Sequence, residues 1–109
     1  MTDIQAKILL VDDDARSLMA METLLTGPGR VVITADSGHE ALRQVLRHDF
    51  AVILLDVRMP RVDGFEAAEL IRQREQSRHT PIIFLSAVDN LEEDVFRGLA
   101  SGAVDYLFK

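Results

Sequence analysis

A doubly wound α/β fold, a parallel sheet with helices on both faces, is what this sequence of 109 residues predicts. Three observations carry that expectation. Short apolar runs alternate along the whole chain with stretches of helical spacing, cap signals punctuate the helical stretches, and the apolar runs end in polar residues. Strands that alternate with helices leave few packings other than a parallel sheet joined by right-handed crossovers.

The elements follow in order. Residues 7–11 (KILLV) form a short apolar run that ends in Asp12, Asp13 and Asp14, and helical spacing follows at Leu18, Met21, Leu24 and Leu25. Gly27, Pro28 and Gly29 break that helix. Residues 31–35 are the second strand, and Ser37 with Glu40 forms a capping box ahead of Ala41, Leu42, Val45 and Leu46. Residues 51–55 (AVILL) read as a strand buried on both faces, with Asp56 where it leaves the core. The loop that follows is stiffened at Pro60, and Asp63 with Glu66 makes a second capping box before a helix striped by Phe65, Ala68, Ile71 and Leu70. Pro81 opens a fourth strand ending in Ser86. Asn90 and Glu93 cap a fourth helix carrying Leu91, Val95 and Leu99, Gly102 closes it, and residues 104–108 are the last strand before Lys109.

Bulk properties exclude several classes of function. The length suits one domain with a continuous core. With no cysteine there is neither a disulfide nor a thiolate metal site. No apolar run approaches a membrane span and no targeting segment opens the chain, so the sequence reads as cytosolic (cytoplasmic). A formal net charge of −6 argues against direct nucleic-acid contact by this domain.

Open parallel sheets bind ligands at the carboxyl ends of their strands, beside the point where strand order reverses. With the order 2-1-3-4-5, taken by analogy, strands one and three are neighbours about 4.8 Å apart, and their terminal carboxylates face one small volume. Three carboxylates there repel by about 4 kcal/mol per close pair at an effective dielectric near 20. A hard divalent cation answers that repulsion, and Mg²⁺ combines carboxylates with waters and a substrate phosphate. Asp13 and Asp56 are then expected as direct ligands, Asp12 through water, and the backbone carbonyl of Arg58 as a further oxygen. Asp56 would attack phosphorus in line to give an acyl phosphate. Lys109 would pair with the remaining negative charge, and Ser86 would donate its hydroxyl to a phosphoryl oxygen.

At these residues the chain resembles the receiver domains of two-component response regulators. The resemblance runs through ILLVDDD at 8–14, ADSGHEAL at 35–42, ILLDVRMPRVDGFE at 53–66, PIIFLSA at 81–87 and SGAVDYLFK at 101–109. Five motifs in order make it specific where each alone is weak. It implies a flavodoxin-like fold and a phosphorylation-driven signalling switch that turns over no free substrate. Asp56 would accept a phosphoryl group from a histidine of a sensor kinase or phosphotransfer protein, Asp12 and Asp13 would hold Mg²⁺, and Ser86 and Lys109 would read the phosphate. Tyr106 would turn inward as Ser86 moves, altering the helix four and strand five face toward an output domain or target protein. Arg58 and Val88 would cover the phosphate and lengthen its life, while Ala87 leaves room for its entry.

The chain stops at Lys109, where the resemblance implies a proline and a fifth helix to follow. The expectation is therefore a receiver domain over residues 1–109, truncated after strand five, with weakened switching and association through the uncovered face. Two rival readings differ in class. Asp12-x-Asp14 after an apolar strand also resembles the first motif of haloacid-dehalogenase-type phosphatases, which would make Asp12 the nucleophile but leaves Asp56 and its loop unexplained. A degenerate receiver kept for docking would lack an acceptor, metal carboxylate or lysine, and none is missing. The bland reading is preferred for Asp14 as a helix cap, for His39, His48 and His79 as surface residues, for Met19 and Met21 as packing, and for Arg72, Arg74 and Arg78 as a solvated helix end.

Overall fold

The computed structural model describes residues 5–86 and 105–108, with Ser86 and the last strand described through their backbone alone. Five strands, β1 (Ala6–Val11), β2 (Arg30–Ala35), β3 (Val52–Asp56), β4 (Ile82–Ser86) and β5 (Asp105–Phe108), form one sheet. Their order is β2-β1-β3-β4-β5, and every neighbouring pair is parallel. The predicted flavodoxin-like topology is therefore present, with the reversal of strand order between β1 and β3. The expected fourth helix, with Asn90, Leu91, Glu93, Val95, Leu99 and Gly102, lies outside the described residues.

Side chains alternate across the pleat and so build two cores. Leu9, Val11, Ile53, Leu55, Ile82 and Phe84 point to one face, where α2 (Gly38–Arg47) adds Ala41 and Val45 and α3 (Gly64–Gln73) adds Phe65, Ala67, Ala68 and Ile71. Phe65 packs on Phe84 with ring centroids 4.8 Å apart. Ile8, Leu10, Leu54 and Leu85 point to the other face, where α1 (Ala15–Leu25) contributes Leu18, Met21 and Leu25. Buried strands flanked on both faces explain why the strand sequences read as continuous apolar runs rather than alternating ones.

Caps place the helices where the sequence predicts them. Asp14 accepts from the Arg16 N–H at 2.9 Å and opens α1. Asp63 and Glu66 form the full reciprocal box at α3. At α2 the Ser37 hydroxyl accepts from the Glu40 N–H at 3.1 Å, but the Glu40 carboxylate turns along its own helix to Gln44 at 3.0 Å and Arg43 at 3.6 Å. One arm of that expected box forms.

Four apolar positions, one histidine, and Arg72 and Arg74, half-buried rather than part of a solvated helix end, depart from expectation. Leu24 is 79% exposed and Leu46 64%, although both fit the helical stripe, and Met19 at 70% is no packing residue. Leu70 on α3 is exposed as well. Each lies beyond the arc of its helix that meets the sheet, and spacing alone cannot report how wide that arc is. His48 is half-buried rather than on the surface. Its Nδ1 accepts from the Lys7 ammonium at 3.3 Å, and its ring stands edge-on to Phe50. His39 and His79 are exposed as expected.

Candidate functional site

β1 and β3 run side by side with Val11 opposite Leu55, so the next residue on each strand, Asp12 and Asp56, leaves the sheet at the same level. The ladder carries both chains one step further, since the Asp12 N–H donates to the Ala35 carbonyl at 3.1 Å and the Val57 N–H to the Leu85 carbonyl at 3.2 Å. Both side chains are consequently buried, at 0% and 1% exposure, while Asp13 is exposed at the rim. One carboxylate oxygen from each of Asp12, Asp13 and Asp56 lies within 4.8 Å of the other two. The sequence expectation that these three converge is met.

Local hydrogen bonds orient the two buried carboxylates. Oδ1 of Asp12 accepts from the Asp14 N–H at 2.9 Å, and Oδ1 of Asp56 accepts from the Arg58 N–H at 3.3 Å. Each is a side chain bonded to the amide two residues on, the Asx geometry that short acidic side chains favour in turns. Asp14 is occupied as the α1 cap, which separates its role from that of Asp12 and Asp13.

Three carboxylates this close together, two of them buried, favour a cation among them. The donor set is all oxygen and all carboxylate, and Asp13 is exposed to solvent. That chemistry suits a hard divalent ion with water in its remaining positions and does not suit a soft metal.

The loop after β3 frames the cluster. Val57 and Met59 turn into the core while Arg58 and Pro60 are exposed, so Arg58 meets solvent two residues after Asp56. Arg61 takes a φ of 68°, in the left-handed region that side chains seldom adopt. Gly64 closes the loop: its N–H donates to the Val57 carbonyl at 3.1 Å, and a Cβ there would lie 2.8 Å from the Val57 Cα and closer still to the Asp56 carbonyl oxygen. Sequence reasoning assigned Gly64 no part in the site, and the only hint was its place directly after the Asp63 cap.

At the other side of β3, Asp56 pairs with Leu85, and Ser86 pairs with Phe108 of β5. The backbone thus brings the end of β4 to the same edge as Asp12 and Asp56, with Ser86 one residue past the level of Asp56. Tyr106 lies in β5 opposite Phe84. Lys109, Ala87 and Val88 lie outside the described residues.

Comparison with known proteins follows the same lines. A family model described as the response regulator receiver domain matches residues 8–109. The transcriptional regulatory protein HprR of Escherichia coli is 38% identical over 103 residues, covering 94% of this chain and 44% of its own length. The chain spans between 12% and 44% of the curated relatives it matches first. Among solved structures, the chemotaxis protein CheY4 of Vibrio cholerae superposes with a TM-score of 0.88 at 36% identity, over 96% of this chain and 87% of that one. The receiver domain of the sensor histidine kinase PA1611 from Pseudomonas aeruginosa, whose active-site cleft holds a coordinated magnesium ion, gives 0.86 at 36% identity, over 96% and 85%.

Proposed function

The chain belongs to the response regulator receiver domains, and on that premise we propose that it is a magnesium-dependent phosphorylation switch with Asp56 as the phosphoryl acceptor. The observation that carries this reading is the meeting of Asp12, Asp13 and Asp56 within 4.8 Å at the carboxyl ends of adjacent strands. Asp13 and Asp56 would hold the ion directly, Asp12 through water, and the backbone carbonyl of Arg58 would add a further oxygen. When bound, the ion neutralises the carboxylates and the incoming phosphoryl oxygens.

The chain's own residues account for the rest. A carboxylate fixed at Oδ1 by the Arg58 N–H is preoriented for in-line attack. As its bond to phosphorus forms, the P–N bond of a partner's phosphohistidine breaks, and the imidazole nitrogen keeps the electron pair. Ser86 would donate to a phosphoryl oxygen and Lys109 would pair with another. Tyr106 would then follow Ser86, shifting the population of the face built by the predicted fourth helix and β5. Arg58, exposed beside the acceptor, and Val88 would shield the acyl phosphate and prolong its life. The reading implies a cytoplasmic protein, a sensor histidine kinase or phosphotransfer protein upstream, and an output domain or target protein downstream. It also implies no turnover of a free substrate.

The phosphatase reading is disfavoured by Asp14, whose carboxylate is engaged at the α1 N-terminus. Transfer from a phosphorylated histidine kinase in Mg²⁺, followed by reductive trapping and peptide mapping, tests the choice. Label on Asp56 is expected. Label on Asp12 would point to the phosphatase instead, and no label at all would end the switch reading.

A further inference from the structure

The loop between β3 and α3 begins at the acceptor and rests on two residues that lack a side chain. Gly64 is one of them. The other is Gly38, the first residue of α2, which meets the loop at Val62. A Cβ on Gly38 would lie 2.7 Å from the Val62 carbonyl oxygen and 2.8 Å from both its Cβ and Cγ1. Neither neighbour can yield easily, since one is backbone and the other a β-branched side chain with a stiff χ1. The loop is stiff as well. Pro60 fixes its own φ, Arg61 sits at 68°, and the Val62 N–H donates back to the Pro60 carbonyl at 2.8 Å. Met59 is anchored in the core, and Val62 packs against it.

We propose that Gly38 is a positioning residue for the acidic site, acting through Val62 to seat the loop that sets the Asp56–Arg58 turn. The proposal rests on the magnesium-dependent reading of that site. A methyl group at position 38 displaces Val62, and the rigid stretch from 60 to 62 passes the movement back toward Arg58. There the N–H to Asp56 Oδ1 bond is already long at 3.3 Å, so a small shift loses it. Local helix energetics run the opposite way, because alanine is the better helix former. A weakened site in such a variant therefore cannot be put down to a weakened α2.

The test is an Mg²⁺ titration followed through backbone amide resonances in the wild type, Gly38→Ala, Val62→Gly and the double variant. Gly38→Ala should bind Mg²⁺ roughly tenfold more weakly, the lower end of what outer-shell changes cost a metal site. Its Asp56 and Arg58 amides should move even without metal. Adding Val62→Gly removes two of the three close approaches and should restore affinity to that of Val62→Gly alone. Wild-type affinity with unmoved amides in Gly38→Ala, or a loss that persists in the double variant, overturns the proposal. If the wild type itself ignores Mg²⁺, the metal reading fails, while the metal-free amide shifts still decide whether Gly38 positions the turn. Should Gly38→Ala not fold, refolding of the double variant with wild-type amide positions supports the proposal and its failure to fold overturns it.

Discussion

The two ends of the same sheet are built on opposite principles. At the amino end, polar groups satisfy one another: the Lys7 ammonium donates to His48, the Ser77 hydroxyl donates to the Ile71 carbonyl at 2.6 Å, and an Arg74 guanidinium N–H donates to the Val45 carbonyl at 3.3 Å. At the carboxyl end, three like charges crowd together, two of them buried. The difference teaches where to look for function. Paired groups make a closed base that costs little to keep, whereas three carboxylates brought within 4.8 Å of one another mark a place fitted to a cation.

Substitutions at the two ends should differ accordingly in what they cost. The largest effect is expected for Asp56→Asn, which keeps the shape and removes the nucleophile: phosphoryl incorporation from a phosphorylated kinase should vanish, and label persisting elsewhere would contradict the assignment. Gly64→Ala comes next. Its Cβ meets the Asp56 and Val57 backbone, so unfolding in urea should show a loss of about 3 kcal/mol, in line with overpacking against a rigid neighbour. Asp13→Asn should act in two directions. Without metal it relieves repulsion and should stabilise the fold by about 1 kcal/mol at this exposed position, read as a higher Tm. In high Mg²⁺ the order should invert, because the tighter-binding wild type gains more ligand stabilisation. The smallest effect belongs to the amino end, where Lys7→Met should cost about 1 kcal/mol and leave Mg²⁺ affinity untouched.

How much of this was legible in the sequence depends on the range of the interaction. The strand from Val52 to Asp56, the Asp14 cap and the Asp63–Glu66 box were readable because their signals lie within a few residues. The convergence of Asp12, Asp13 and Asp56 was readable too, once strand alternation was joined to the order 2-1-3-4-5 taken by analogy, which makes the two strand ends neighbours. Contacts between distant segments were not. Lys7 meets His48 across 41 residues, and nothing local marks either as a partner of the other. Gly38 looks like an ordinary helix start until Val62 arrives above it. Leu24 and Leu46 fit the helical period and yet face solvent, because the period fixes a direction and not what covers it.

Replacing Mg²⁺ with Mn²⁺ and recording paramagnetic broadening along the backbone tests the central claim most directly. Amides of residues 12–14 and 56–58 should broaden first and together, while those of Lys7 and His48 at the far end stay sharp. Broadening scattered over the surface, or centred on the amino end of the sheet, would contradict a divalent-cation site among Asp12, Asp13 and Asp56.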